Sequence, residues 1–383
     1  IPVSRSNLHL SSKRPKILYL ATFFPNNAGY HYRVKLWADI LKSNGYKVTI
    51  RNVYTEHQFH HLRKKNPPHV MFYLRGMVKR YVHVLESMFY HLVIVRREIL
   101  HFNDYGNLFF EKFLLSIHPN AILDFDDDIA EAKKEPKKIS LYGRLMLEHA
   151  EKFKASVQQY HFFITGSRYL KEYVMKLHAW IKPHQILVLP TSVNYSQYAP
   201  KKYDENKRRL NLGWIGSNNN QQYLHLIEHD LERLAEKHDI VLHVISGKPF
   251  VTDKKFEVIN HSWSIETEIE SLLKIDIGLM PLKDNKLQAG KCGFKLIQYM
   301  GLGIVGVASA ICANKEIVTN GENWFLIPPG NTWYDVLNQL ASNPSQLAQL
   351  GANARETINL AYSISGNRDS FVHYINTLNA DEF

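Results

Sequence analysis

A chain of 383 residues is too long for one ordinary hydrophobic core and implies two domains of about 150–200 residues. With 45% hydrophobic and 22% charged residues it is neither disordered nor membrane-spanning, and its two cysteines, Cys292 and Cys312, exclude a disulfide framework and fit a reducing cytoplasm. Charge is uneven: residues 1–200 hold 29 Lys and Arg against 15 Asp and Glu, a balance of +14, whereas residues 201–383 hold 18 against 21, a balance of −3, so the first half is expected to meet an anionic surface.

Ile1 to Ser6 lacks the apolar core of a signal peptide. Lys16 to Thr22 is a continuous apolar run of the kind found in parallel sheets buried on both faces. Phe23 to Gly29 is the following loop, Tyr30 to Ser43 a helix ended by Asn44-Gly45, and Tyr46 to Ile50 a second strand, which together make a right-handed βαβ unit. Strands at His91–Val95, Ala121–Asp124, His161–Thr165 and Ile186–Leu189 continue that sheet. Between Met77 and Phe89 the apolar residues gather on one face of an amphipathic helix, with Lys79, Arg80, His83, Glu86 and Ser87 on the other. Such a helix is expected to cover the sheet. With His60-His61-Leu62-Arg63-Lys64-Lys65 and Arg75 it could also form a basic, aromatic face at an anionic membrane surface.

Pro190 to Arg209 is polar, holds two prolines and ends in a charge run, as an inter-domain linker does. A second series of strands follows at Asn211–Gly216, Ile240–Ser246, Phe256–Ile259, Ile275–Met280, Gly303–Ala308 and Trp324–Ile327, and the chain is helical after Gly330. The longest nearly apolar run, Gly301 to Ala313, falls short of the roughly 20 residues that span a bilayer.

The most informative stretch is Gly290 to Ser309. Gly290 and Gly293 let backbone N–H groups approach an anion, the next helix adds its N-terminal partial charge, and Lys291 and Lys295 add full ones. Gly216, Ser217 and Asn218 at another strand end offer a tight turn and a helix cap suited to a pyrophosphate; Ser217 as a plain cap is the alternative. In the first half, Gly29 lets a phosphate approach, and Arg33 near the helix start is placed to clamp an anion. Asp124 to Asp128 puts four carboxylates in five residues, which repel one another unless a cation, an arginine or a proton intervenes. Asp126, Asp127 and Asp128 read as cleft residues that bind an acceptor hydroxyl or orient a base. A solvated loop, or a metal-holding Asp-x-Asp, are the alternatives. No His, Cys and carboxylate spacing indicates a metal site.

Tyr299-Met300, Gly303 and Val305 to Ser309 resemble the nucleotide-sugar loop of retaining glycosyltransferases of the GT-B fold, in the large fourth family (glycosyltransferase group 1). There the pattern is Glu, seven residues, Glu, Ala-Met, a Gly and an apolar strand ending in Ala-Ser. Neither glutamate is present: Gly290 and Gln298 stand in their places, and Lys295 is shared with a Lys-x-x-Glu-Tyr-Met subset. The family's Arg and Lys near the pyrophosphate are replaced by Ser217 and Gln222, a task that Lys291 and Lys295 are expected to take over. The resemblance implies an α/β GT-B fold: two Rossmann-like doubly wound domains (1–200 on the acceptor side, 201–365 binding the donor), a cleft between them, and a crossover helix at 366–383. It places Trp263 near the nucleotide base, with a half-buried core role as the alternative. It implies transfer of a hexose from a nucleotide sugar to a saccharide or lipid-linked acceptor, with retention, without metal or cofactor, in a bacterial polysaccharide or glycoconjugate pathway. The charge division and the 77–89 helix add the expectation of a cytoplasmic protein peripheral to the inner face of the cytoplasmic membrane. A sugar-nucleotide epimerase of similar fold and a non-catalytic nucleotide-sugar-binding protein remain open. A nucleic-acid binder is disfavoured, because aromatic-basic recognition motifs are missing.

Overall fold

The computed structural model describes residues 15–22, 24, 27–58, 70–100, 108–127, 150–204, 208–285, 288, 290–311 and 313–380. Asn26, the basic run 60–65, Asp128, Lys286 and Cys312 lie outside them.

Buried apolar runs become parallel strands. Six of them, β1 (Lys16–Ala21), β2 (Lys47–Asn52), β3 (Leu92–Arg96), β4 (Ile122–Phe125), β5 (Phe162–Thr165) and β6 (Ile186–Val188), pair in the order β2-β1-β3-β4-β5-β6. The other six, β7 (Leu210–Ile215), β8 (Ile240–Ser246), β9 (Glu257–Ser262), β10 (Ile277–Met280), β11 (Val305–Ser309) and β12 (Phe325–Ile327), pair as β12-β11-β10-β7-β8-β9. Strand order reverses between β1 and β3 in the first sheet and between β7 and β10 in the second. Those two switch points are where an open α/β sheet leaves a crevice beyond its strand ends.

The helix Ile364–Ala380 starts two residues before the expected boundary and returns to the first sheet. Its Phe371, Tyr374 and Ile375 are buried in one cluster with Ile17, Tyr19 and Trp37, and the Tyr374 hydroxyl donates to the Gln185 carbonyl at 2.8 Å.

One helix differs from its pattern. Val70–Glu86 covers the sheet with Gly76, Arg80, His83 and Val84, not with its apolar face. Arg80 is fully buried and donates to the Ala21 carbonyl at 2.9 Å, while Val78 is 65% exposed. A Cβ on Gly76 would come within 2.5 Å of the Tyr54 hydroxyl, so this face packs against the sheet too closely for a larger side chain.

Candidate functional site

In the second sheet the switch point brings the end of β7 beside the loop that follows β10. The helix Phe294–Gly301 is pinned there by Tyr299, whose hydroxyl accepts from the Ile215 N–H at 2.9 Å and donates to the Gly213 carbonyl at 3.2 Å. Gly293 opens the helix at φ +65°, where a Cβ would be strained and would also meet Ile317 at 2.5 Å. These two anchors set the lysines. The Lys295 ammonium lies 4.0 Å from the centre of the Trp214 ring, and a Cβ on Gly216 would come within 2.6 Å of that ammonium. Lys291 donates to Asn220 Oδ1 at 3.3 Å and lies 5.5 Å from the Tyr223 ring centre.

Burial, and then the neighbouring Lys291, hold the Lys295 pKa well below the ordinary lysine value. Burial likewise lowers that of Lys291, against an opposing pull from Asp127. Two cations brought together and partly desolvated favour a polyanion between them. Gln288 closes the same side, buried, with its amide donating to the Tyr223 hydroxyl at 2.6 Å. Gln298 is buried on the lysine-bearing helix, and Gly290 is buried ahead of it. Asn218 accepts from Ser246 Oγ at 3.1 Å. Ser217 does not cap with its side chain: it stands before a 3-10 stretch, Asn218–Leu226, and its hydroxyl instead accepts from Asn220 at 3.1 Å. The expected helix cap for a pyrophosphate is therefore absent at this position.

Across the cleft, arginines resolve the acidic run. Arg33 is fully buried, donates from Nε and Nη2 to Asp124 Oδ1 at 3.0 and 2.6 Å, and donates from Nη1 to the Leu189 carbonyl. It is thus committed to the protein, and the expectation that it clamps a ligand anion is corrected. Arg96 pairs with Asp126, which also accepts from Thr191 at 3.2 Å. Burial alone would raise the Asp126 pKa, but Arg96 and Arg33 pull it well below the carboxylate range. Asp127 is raised, by desolvation first and by Asp126 second, with Arg97, Arg96 and Lys291 opposing. Arg97, at the switch point of the first sheet, holds a left-handed backbone at φ +65°, a strained conformation for a residue with a side chain. Gly29 sits in the first helical turn capped by Asn27, its N–H donating to Asn27 Oδ1 at 2.9 Å.

Two contacts between the halves flank this site. The Cys292 thiol donates to the Asp126 carbonyl and lies against Gly166, where a Cβ would come within 2.5 Å of the sulfur. Burial pushes this thiol's pKa up, as suits an inert filler. The Tyr32 hydroxyl donates to Glu268, which also accepts from Trp263 Nε1 at 2.6 Å. The Tyr32 ring lies 4.7 Å from that of Phe294. Trp263 is accordingly a half-buried residue at the core edge with its N–H engaged. Glu268, in the first turn of the helix Glu268–Leu273, is buried, and desolvation raises its pKa against the hydrogen bonds that lower it. Sequence reasoning missed Tyr32, Glu268 and Arg96, which meet partners 30 to 236 residues away. Among the described residues no group of three or more His, Cys, Asp or Glu is arranged to hold a metal ion.

Residues 209–343 match the family model described as "Glycosyl transferases group 1". Comparison of the sequence with curated proteins found no match. Among solved structures the chain is similar to HepE of Anabaena in complex with UDP and glucose, at 13% identity and a TM-score of 0.65, over 95% of this chain and 100% of that one. It is similar to sucrose-phosphate synthase of Thermosynechococcus elongatus, at 12% identity and a TM-score of 0.65, over 97% and 100%. It is also similar to the catalytic domain of starch synthase IV of Arabidopsis thaliana bound to ADP and acarbose, at 10% identity and a TM-score of 0.65, over 96% and 100%. The two parallel six-stranded sheets and the returning C-terminal helix are those of the GT-B fold.

Proposed function

We propose that this GT-B chain transfers a hexose from a nucleoside-diphosphate sugar to a saccharide or lipid-linked acceptor, with retention at the anomeric carbon. The observation that carries the reading is the pair Lys291 and Lys295, partly buried with their pKa values lowered, Lys295 beside Gly216 and Lys291 beside Asn220. The diphosphate sits between them and the Gly216 backbone. As the sugar–phosphate bond breaks, negative charge grows on the leaving diphosphate, and both ammonium groups stabilise it more in the transition state than in the ground state. The acceptor hydroxyl attacks from the same face as the departing phosphate, whose oxygen takes the hydroxyl proton, so a dedicated base is not required. Asp127 faces Lys291 across the cleft and orients the acceptor, while Asp126, held ionised by Arg96, is the fixed charge behind it. The reaction uses no metal or other cofactor, and the pathway is bacterial polysaccharide or glycoconjugate synthesis.

HepE was solved with UDP-glucose and starch synthase IV with ADP, so uridine and adenosine diphosphate sugars are the first donors to try. The test is a panel of nucleotide sugars, scored by thermal stabilisation and by release of nucleoside diphosphate with saccharide acceptors. Stabilisation by one donor, weakened in Lys295→Ala, supports the reading; no response to any donor counts against it.

A further inference from the structure

The helix Val70–Glu86 turns its apolar side outward. Val78 is 65% exposed, Val82 54% and Tyr81 42%, and Phe89 just beyond the helix is 70% exposed. The adjacent helix Phe109–Ile117 extends the same surface. Phe113 stacks on Tyr81 at 5.5 Å and on Phe109 at 5.9 Å, and Phe109 is itself 51% exposed. Single exposed apolar residues are ordinary, but a contiguous aromatic and aliphatic face marks an interaction surface. No described helix is long and apolar enough to cross a membrane, so the face can lie on a bilayer but these helices do not span one.

Charge identifies what the face fits. Arg75 and Lys112 are exposed on these two helices, whereas Lys79 turns its ammonium to the Val53 carbonyl at 3.0 Å. Their only acidic residues are Glu86, engaged by Arg51 at 2.6 Å, and Glu111, which is buried. The outward charge is therefore positive, in the half of the chain whose balance is +14. Topology identifies the orientation. In a parallel sheet every crossover helix starts at the carboxyl ends of the strands, so the first turns of both helices lie on the cleft side. The apolar face runs from the cleft toward the opposite end of the sheet.

We propose that the outer face of Val70–Glu86 and Phe109–Ile117 docks the protein on an anionic lipid bilayer, with Val78, Tyr81 and Val82 entering the interface and Arg75 and Lys112 at the headgroups. This rests on the sugar-transfer reading only for its purpose, which is to present a lipid-linked acceptor to the cleft. Arg80, which the sequence pattern puts among the basic residues of this helix, takes no part because it is buried under the sheet.

The experiment is co-sedimentation of the full chain with vesicles of phosphatidylcholine, with and without phosphatidylglycerol, alongside binding of UDP and ADP to the same preparations. The wild type should pellet with phosphatidylglycerol vesicles, stay in solution with phosphatidylcholine alone, and be released by salt. Arg75→Ala with Lys112→Ala should bind roughly tenfold to thirtyfold more weakly. Val78→Asp with Val82→Asp should abolish binding while keeping the wild-type unfolding midpoint and nucleoside-diphosphate affinity. Wild-type protein that stays in solution with anionic vesicles at low salt overturns the proposal, as does unchanged pelleting of the Val78→Asp, Val82→Asp variant. Self-association that this variant abolishes, without vesicle binding, assigns the face to a second copy and also overturns it. Vesicle binding by a protein that takes up no nucleoside diphosphate keeps the docking and ends the sugar-transfer reading.

Discussion

The ammonium of Lys295 stands 4.0 Å from the centre of the Trp214 ring, with the backbone of Gly216 close enough that a methyl group there would meet it at 2.6 Å. A cation held over an aromatic face, with no carboxylate beside it among the described residues, is stabilised yet keeps its hydrogen-bonding capacity for an incoming anion. Replacing Lys295 with Ala should weaken nucleoside-diphosphate binding by roughly tenfold to a hundredfold, about 1.5–3 kcal/mol for a charge-assisted hydrogen bond. Lys283→Ala, on the same loop but exposed, should change it much less. Equal losses in the two variants, by calorimetric titration, would show only a diffuse electrostatic effect.

The lowered pKa of Lys295 has a consequence for binding. An anion favours the charged amine, so binding should be coupled to proton uptake wherever the free protein holds that lysine partly neutral. Affinity should then fall with rising pH, starting below the ordinary lysine value of 10.5. Titrations in buffers of different ionisation enthalpy measure the uptake. Zero protons exchanged as pH approaches that range would mean that Lys295 does not meet the phosphate.

Gly216→Ala tests the shape of the site. The added methyl must displace the Lys295 amine or the Trp214 ring, which it would approach to 2.7 Å. Nucleotide affinity should drop while the fold survives, at a cost of about 1–3 kcal/mol for overpacking. Denaturant midpoints and nucleotide titrations on one preparation separate the two effects.

Glu268 gives a pH signature. Its carboxyl is raised above the ordinary 4.5 by burial, so the folded state holds the proton to higher pH than the unfolded state does. Stability is therefore lost as pH rises from about the ordinary glutamate value through the raised one. Glu268→Gln should flatten that fall. Tyr32→Phe removes a donor to the carboxylate and should steepen it, with about 1–3 kcal/mol lost above the window. Unfolding midpoints measured across the acid range check this, and parallel curves for Glu268→Gln and wild type would contradict it.

Much of the fold was legible because buried parallel strands read as continuous apolar runs: β1, β7 and β8 fall within a residue of their expected spans. The turn that opens the lysine-bearing helix was legible through Gly293, whose left-handed backbone needs a glycine. Arg33 was misread because its partner Asp124 is 91 residues away, and local sequence cannot tell an arginine that meets a ligand from one that meets a buried carboxylate. An amphipathic helix was recognised over 77–89, where the helix runs Val70–Glu86, but periodicity fixes only that two faces differ, not which one meets the sheet. Tyr54 against Gly76, and Arg80 reaching Ala21, settle that in space. Nothing local marks Glu268 as more than a first-turn carboxylate, because Tyr32, its donor, comes from the other half of the chain.

Metal independence is a separate expectation. Transfer should continue in excess chelator, because the diphosphate charge is met by Lys291 and Lys295 and the carboxylates of Asp124 and Asp126 are taken up by Arg33 and Arg96. Activity lost to chelator and restored by manganese or magnesium would reassign the acidic run.

The central claim is that Lys291 and Lys295 hold the diphosphate of a sugar donor during transfer. Its most direct test is the release of nucleoside diphosphate from UDP- and ADP-sugars by wild type, Lys291→Ala and Lys295→Ala, with saccharide and lipid-linked acceptors. Wild type should turn over one donor, and each lysine variant should lose about tenfold to a hundredfold in kcat/KM while keeping the wild-type unfolding midpoint. Turnover that is unchanged when both lysines are replaced would contradict the account.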